Sequence, residues 1–153
     1  MEKIILQTRI NAPIEKVFDL SRDIDFHLIS AKKTNETVVG GRISGLMQLG
    51  ESVTWRAKHL GIYQTLKVKI TEFDYPKYFV DEMEKGAFDK MRHKHIFEDD
   101  NGSTIMIDIF EFQSPLGFVG KFFNKIYLRN YMTKFLLERN SELKKIAEST
   151  HKL

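Results

Sequence analysis

Residues 117–150 read GFVGKFFNKIYLRNYMTKFLLERNSELKKIAEST, and this stretch decides the fold. It contains no proline and, beyond its start, no glycine, so it predicts a long C-terminal helix from 117 to about 150. Its apolar residues, such as Leu128, Met132 and Phe135, follow helical spacing around a broad face. A helix with so wide an apolar surface must be covered, and the alternating segments in the middle of the chain are the candidate cover.

Length and composition are those of an ordinary globular chain. With 153 residues, of which 42% are hydrophobic and 29% charged, we expect a single domain over 1–153. Cysteine is absent, which excludes disulfides, thiolate catalysis and Cys-based zinc sites. The net charge is +3, its lysines and acids are interspersed, and no nucleic-acid-binding motif occurs, so no nucleic-acid partner is predicted.

The N-terminal sequence MEKIILQTRI carries no apolar core of signal-peptide length. No later run is long enough and apolar enough to span a membrane. The sequence therefore predicts a cytoplasmic protein without stable membrane insertion, and it gives no indication of protein partners or of the oligomeric state.

The chain before the final helix is predicted to be mostly strand. Residues 2–10 alternate as a first strand, and two short amphipathic helices follow, one capped by Asn11 and one capped by Asp23 or Asp25. Turns rich in glycine, proline, asparagine and aspartate then separate six further segments. The predicted strands are 36–39, 51–59, 63–73, 78–84, 88–98 and 104–112, and their sequential turns indicate an antiparallel meander.

This order of elements resembles the START/Bet v 1-like (SRPBCC) superfamily, as do VTWRAKHLG at 53–61, EFDYP at 72–76 and FVDEM at 79–83. The chain is most similar to the bacterial polyketide cyclase/dehydrase and lipid-transport branch. The resemblance implies an α+β helix-grip fold, in which a curved antiparallel sheet of about seven strands wraps around the long C-terminal helix. It also implies an internal cavity that binds lipids, hormones or polyketides, with a minority of members being enzymes.

Strand alternation predicts which side chains face the helix. In 88–98 the cationic residues alternate with His93 and His95, so both histidines are expected inside. The pattern of 104–112 is ambiguous, and we place its larger aromatic residues inside together with Asp108. The predicted ligand-binding wall is Glu51, Trp55, His59, Tyr63, Phe79, Asp81, Met83, Met91, His93, His95, Phe97, Asp108, Phe110 and Phe112, with Phe122 and Ile126 contributed by the helix.

The ionisable members of this wall need partners if they are buried. One interpretation is structural, with His93 or His95 hydrogen-bonded to Asp81 or Asp108 across neighbouring strands. Another is a polar pocket floor that orients a ligand between aromatic walls. A third interpretation is a metal bound by His93 and His95, with His59 and a carboxylate completing the site. The H-x-H pattern alone is a weak signal, and we predict no metal site.

Acid–base catalysis is the fourth interpretation, with His93, His95 and Asp108 as the candidate catalytic residues. No nucleophile, oxyanion motif or nucleotide loop accompanies them, so the sequence favours binding over catalysis. The leading hypothesis is a carrier or sensor of a hydrophobic small molecule, lipid-like, aromatic or polyketide-like, that needs no cofactor. The alternatives are a polyketide cyclase- or dehydratase-like enzyme and an interaction domain that docks a partner through the final helix and the loop 42–50.

Overall fold

The computed structural model of the protein describes residues 1–59, 61–114 and 127–149, apart from the side chain of Lys32. Seven strands form one curved antiparallel sheet in the order β1-β7-β6-β5-β4-β3-β2. Within the described residues, three α-helices and the short 3₁₀-helix Lys32–Thr34 accompany the sheet, and the predicted helix-grip architecture is confirmed. The strands are β1 (Glu2–Ile10), β2 (Thr37–Gly41), β3 (Ser52–His59), β4 (Ile62–Asp74), β5 (Tyr78–Lys85), β6 (Lys90–Asp100) and β7 (Ser103–Gln113), and the helices are α1 (Ile14–Ser21), α2 (Ile24–Ser30) and α3 (Arg129–Ser149).

The β6–β7 hairpin sets the register on which the polar side chains of the sheet depend. Its two turn residues, Asn101 and Gly102, have φ values of 53° and 91°. Positive φ at both positions is what a tight two-residue hairpin turn requires. From this turn the strands pair so that His95 lies opposite Asp108 and His93 lies opposite Phe110.

The two short helices begin differently from each other. The predicted cap of α1 by Asn11 is wrong, because Pro13 occupies the cap position without a side-chain hydrogen bond. The Asn11 side chain instead accepts a hydrogen bond from the Ser103 hydroxyl at 3.0 Å, which ties it to the start of β7. The alternative that Asp23 caps α2 is confirmed, since its carboxylate accepts from the backbone N–H of Asp25 at 2.9 Å.

Helix α3 confirms the predicted long helix over Arg129–Ser149, and the predicted residues 117–126, with Phe122 and Ile126, lie outside the described residues. Its buried face is not purely apolar. Arg139 and Asn140 lie in the same buried stripe as Met132, Leu136, Leu143 and Ala147. Within the described ranges, no helix combines the length and the apolar composition that crossing a membrane requires.

The inner face of the sheet is the apolar one, as alternation predicts. In β7, beyond the buried Ser103 and Thr104 at its start, the buried residues are Met106, Asp108, Phe110 and Phe112, while Ile105, Ile107 and Ile109 are partly exposed. The predicted inward orientation of the larger aromatic residues of this strand is therefore confirmed. At one end of this face α1 closes the core, and Phe18 makes edge-to-face contacts with the rings of four neighbours, Phe73, Tyr75, Phe79 and Phe97.

Candidate functional site

A cavity of about 410 Å³ lies between the inner face of the sheet and α3. The sheet contributes ring and thioether side chains to its wall, and α3 contributes further apolar residues. Polar side chains interrupt this apolar lining, and among them are three groups that contain histidine. The apolar and aromatic part of the lining includes Trp55, Phe79, Met91 and Phe110 from the sheet and Leu128, Met132, Phe135 and Leu136 from the segment that contains α3.

Eight of the residues predicted for the inner wall line this cavity, and they come from β3, β5, β6 and β7. They are Trp55, His59, Phe79, Asp81, Met91, His93, His95 and Phe110. Asp108 is fully buried directly behind the histidines and does not reach the cavity surface.

Other predicted wall residues belong to the packed core. Phe97 packs on Phe18, with ring centroids 5.1 Å apart. Phe112 packs on Phe88, with ring centroids 5.6 Å apart. Met83 is partly buried against the same core. Their inward orientation is therefore as predicted, but they do not line the cavity.

Two predicted inner-wall positions are wrong. Tyr63 lies on the outer face of β4, where its side chain is 47% exposed and the Arg56 guanidinium sits 4.2 Å above its ring. The reason is register, because Trp55 pairs with Leu66 and the inward positions of β4 are therefore the even-numbered ones. Glu51 precedes β3, and its carboxylate binds the Arg42 guanidinium at 2.8 Å in place of lining the cavity.

The histidine–carboxylate cluster consists of Asp81, His93, His95 and Asp108. His93 Nε2 lies 2.8 Å from Asp108 Oδ1, and His95 Nε2 lies 2.8 Å from Asp81 Oδ2. The two imidazole rings stack with centroids 3.7 Å apart. The predicted pairing of histidines with carboxylates across neighbouring strands is therefore present, and it uses both carboxylates.

The ionisation of the cluster follows from its geometry. Burial raises the pKa of Asp108, but the hydrogen bond and the charges of the neighbouring histidines outweigh it and hold this pKa well below its ordinary value. The pKa of Asp81 is lowered in the same way, burial being outweighed by its hydrogen bond with His95. Both carboxylates are therefore anionic near neutral pH.

The pKa values of the two histidines are shifted in opposite directions. Burial and the positive charge of His95 lower the pKa of His93 to about 4, so that its imidazole is neutral and Nε2 donates to the Asp108 carboxylate. Burial alone would lower the pKa of His95. The carboxylates of Asp108 and Asp81 flank its ring and outweigh this effect, so that the pKa of His95 is raised. His95 Nδ1 lies 3.4 Å from Asp108 Oδ1, where charge attraction acts without a well-formed hydrogen bond.

Helix α3 completes the cluster with two residues that were not among the predicted site residues. Asn140 Nδ2 donates to Asp108 Oδ2 at 2.7 Å. The Arg139 guanidinium reaches the cavity wall, with Nη1 3.7 Å from Asp108 Oδ1. A signal for both existed, since they follow Leu136 and precede Leu143 at the spacing of one buried helix face.

Two further polar pairs line the cavity. His59 Nδ1 lies 2.6 Å from the Tyr131 hydroxyl, and burial lowers the pKa of His59 and raises that of Tyr131. His27 Nε2 lies 2.8 Å from Glu36 Oε1, and the His27 ring lies against Trp55 with centroids 4.2 Å apart. His27, Glu36 and Tyr131 were not predicted as wall residues. His27 and Tyr131 lie on α2 and α3, to which strand alternation does not apply, and Glu36 stands at the end of the short predicted strand 36–39, just before β2.

The metal-ligating atoms of Asp81, His93 and His95 lie within 4.8 Å of one another. This is the one group of three such side chains within the described ranges, and His59 is not part of it. In the observed arrangement the Nε2 atoms of both histidines already face carboxylates at hydrogen-bonding distance. A metal ion could bind here only by displacing these contacts. That this protein binds no metal stays a prediction.

The fold is the helix-grip fold of START and Bet v 1-like proteins. The crystal structure of TTHA0849 from Thermus thermophilus matches 97% of this chain and 99% of its own, with a TM-score of 0.79 and 16% identity. A START superfamily protein from Mycobacterium smegmatis matches with a TM-score of 0.72 and 12% identity over 97% of this chain and 98% of its own.

Ginseng major latex-like protein 151 from Panax ginseng matches with a TM-score of 0.67 and 14% identity, over 95% of this chain and 97% of its own. No protein-family model matches the chain, and no curated protein matches it in sequence. At identities this low the likeness concerns the fold, and function has to be argued from the site.

Proposed function

We propose that residues 1–153 form one domain that binds a hydrophobic small molecule in the cavity between the sheet and α3. The observation that carries this proposal is the cavity itself. Its volume of about 410 Å³ lies in the range of small-molecule sites, and its wall combines apolar and aromatic side chains with a few polar groups. A lipid-like, aromatic or polyketide-like molecule would match such a wall.

A folded interior does not normally keep so large an apolar space. Protein cores are packed to about the density of organic crystals, and voids larger than a water molecule are few. Side chains such as Trp55 and Phe110 lose dispersion contacts on the side that faces the cavity. A hydrophobic ligand would restore these contacts and remove its own apolar surface from water.

The test is a cavity-filling substitution with a matched control. Ala57 is buried on β3 and lines the cavity, whereas its neighbour Lys58 is exposed on the outer face. We expect Ala57→Phe to abolish binding of the hydrocarbon dye diphenylhexatriene, which is measured by its fluorescence. Lys58→Phe, which adds the same ring to the outer face, should leave binding unchanged.

Native mass spectrometry of the purified protein adds an independent measurement. A co-purified mass that disappears under denaturing conditions, and that is absent from Ala57→Phe, would identify a ligand in the cavity. Equal dye binding by the wild type and Ala57→Phe would contradict the proposal, because the added ring would then occupy space that the dye does not use.

Acid–base catalysis on a polyketide-like substrate is the second candidate function, and the geometry of His93 favours it. His93 lines the cavity and donates from Nε2 to the Asp108 carboxylate. No second hydrogen bond to its ring occurs within the described ranges, so Nδ1 keeps its lone pair. A histidine oriented by a carboxylate in this way can accept a proton from a bound molecule, as in a cyclisation or dehydration.

The two functions can be separated with one variant. We expect His93→Gln to retain diphenylhexatriene binding under either function, because the apolar wall is unchanged. Turnover of an aromatic or polyketide-like substrate would be lost only if His93 acts as the base. If turnover is detected and His93→Gln leaves it unchanged, His93 is not that base.

A further inference from the structure

Arg139 is a buried cation whose hydrogen-bonding capacity is not used by the described part of the chain. The residue is 7% exposed and lines the cavity from α3. Its one ionic contact in the described part of the chain is Asp108, at 3.7 Å from Nη1, and its guanidinium makes no hydrogen bond to any described residue. Buried charged groups normally have hydrogen-bond partners, since an unpartnered one keeps its full desolvation penalty.

Asp108 cannot serve as the missing partner in the observed arrangement. Its Oδ1 faces His93 Nε2 at 2.8 Å, and its Oδ2 accepts from Asn140 Nδ2 at 2.7 Å. Both carboxylate oxygens are therefore engaged by neutral donors at short distance, while the guanidinium remains almost an ångström further away. The five N–H groups of the guanidinium are left for another acceptor.

No other acid in the described part of the chain fills this place. Arg139 also borders a surface depression near α2 that Glu138 and Glu142 help to line. Neither carboxylate lies within 4.0 Å of the guanidinium, and the Glu138 carboxylate lies 3.7 Å from Lys33 Nζ. As far as the described residues go, the cavity is the place that remains for an acceptor.

The charges of the cluster allow either a neutral or an anionic acceptor. The Asp81 carboxylate is balanced by His95, and the Asp108 carboxylate is balanced by Arg139. His93 is neutral and has an ionised carboxylate beside it, so it can take up a proton when a further negative charge arrives. The planar fork of a guanidinium matches a carboxylate through two parallel hydrogen bonds, and a carbonyl oxygen through one or two.

We infer that the cavity binds an amphipathic molecule whose apolar body contacts the aromatic wall and whose sp² oxygen, in a carboxylate or a carbonyl group, accepts hydrogen bonds from Arg139. This inference rests on the proposed function and names the chemical class of its ligand. A pure hydrocarbon would fill the apolar part of the cavity and leave the guanidinium unpartnered. Removing Arg139 should therefore affect oxygen-bearing ligands and spare hydrocarbons.

The experiment compares four probes of equal chain length, which are decanoic acid, methyl decanoate, decanol and decane. Each competes with diphenylhexatriene, which has no polar atom, for the wild type and for Arg139→Met. A charge-assisted hydrogen bond corresponds to a change of about 10- to 100-fold in affinity. We expect Arg139→Met to weaken the binding of decanoic acid, of methyl decanoate or of both by this factor. The affinities for decane and for the dye should change by no more than about two-fold.

The controls separate this inference from the proposed function and from misfolding. Lys134→Met removes a positive charge from the exposed face of the same helix and should change none of the four affinities. Arg139→Gln, with circular dichroism of both variants, provides a second replacement should the methionine variant fail to fold. A loss for decanoic acid alone supports a carboxylate ligand, and a loss that includes methyl decanoate supports a carbonyl.

Equal affinities of wild type and both Arg139 variants for the acid and the ester would overturn the inference while leaving hydrophobic binding intact. A loss confined to decanol would also overturn it, since a hydroxyl is not an sp² acceptor. If the dye does not bind the wild type at all, the proposed function fails, and this inference fails with it.

Discussion

Neutral His93 should make the protein sensitive to acid, and His93→Gln should reduce that sensitivity. The folded protein lowers the pKa of His93 from 6.5 to about 4, because the ring is buried and lies against the positively charged His95. In the unfolded chain the same ring takes up a proton near its ordinary pKa. Between these two values the unfolded state binds more protons, so the unfolding free energy falls as the pH falls.

The magnitude follows from the two pKa values. A separation of this size corresponds to about 3 kcal/mol of unfolding free energy, which is present above about pH 6.5 and lost as the pH falls to about 4. His95 has the opposite effect at higher pH, because its pKa is higher in the folded state than in the unfolded chain. Its contribution to the unfolding free energy is fully present below the ordinary pKa of histidine and is lost as the pH rises through the raised pKa. The cluster alone therefore predicts maximal stability near about pH 6.5.

The assay is urea denaturation at a series of pH values for the wild type and His93→Gln. Glutamine can still donate to Asp108 but cannot be protonated, so the variant should lose about 3 kcal/mol less than the wild type between about pH 6.5 and 4. Ile70→Val is the control for a destabilised core, because it should lower stability by about 0.5–1.5 kcal/mol at every pH. Parallel pH profiles of the wild type and His93→Gln would refute the assignment of a neutral, buried His93.

Two further predictions concern the carboxylate behind the histidines and the two faces of the sheet. Asp108→Asn should lower stability by about 3–5 kcal/mol in thermal and urea denaturation, because it removes the buried negative charge opposite His95 and Arg139. As a control, Asp100→Asn, at an exposed carboxylate, should change stability by less than about 1 kcal/mol. A loss for Asp108→Asn no larger than that for Asp100→Asn would contradict the cluster. Trp55→Ala should weaken diphenylhexatriene binding several-fold in fluorescence titrations and Tyr63→Ala should leave it unchanged, so a dependence on Tyr63 would contradict its outward position.

Strand alternation predicted most of the inner wall because a sheet with one buried face repeats every two residues. It succeeded in β6, where lysine and arginine mark the outer face so clearly that His93 and His95 had to point inward. It failed for Tyr63, which was placed inside as an aromatic residue. The even-numbered positions of β4 include Gln64, a polar residue that lines the cavity, and this polar residue obscured the inward set.

The helix side of the site could not be predicted in the same way. Arginine and asparagine are mostly exposed in folded proteins, so Arg139 and Asn140 would ordinarily be assigned to the solvated face of α3. Both lie near Asp108, which is more than 30 residues away in sequence and faces them only once the sheet has curved around the helix. Periodicity identifies the stripe, but only tertiary structure identifies what an arginine in that stripe contacts.

The same carboxylate links the sheet to the helix and determines what Arg139 can do. The Asp108 carboxylate accepts hydrogen bonds from His93 of β6 and Asn140 of α3, and these two neutral donors occupy both of its oxygens. Replacing buried ionic groups by apolar ones is often neutral or stabilising, so packing alone gives no reason to keep a guanidinium here. Because Asp108 is already satisfied, Arg139 keeps its donors available at the cavity wall, and a ligand that accepts from them would contact the residue next to the Asn140–Asp108 link between α3 and β7.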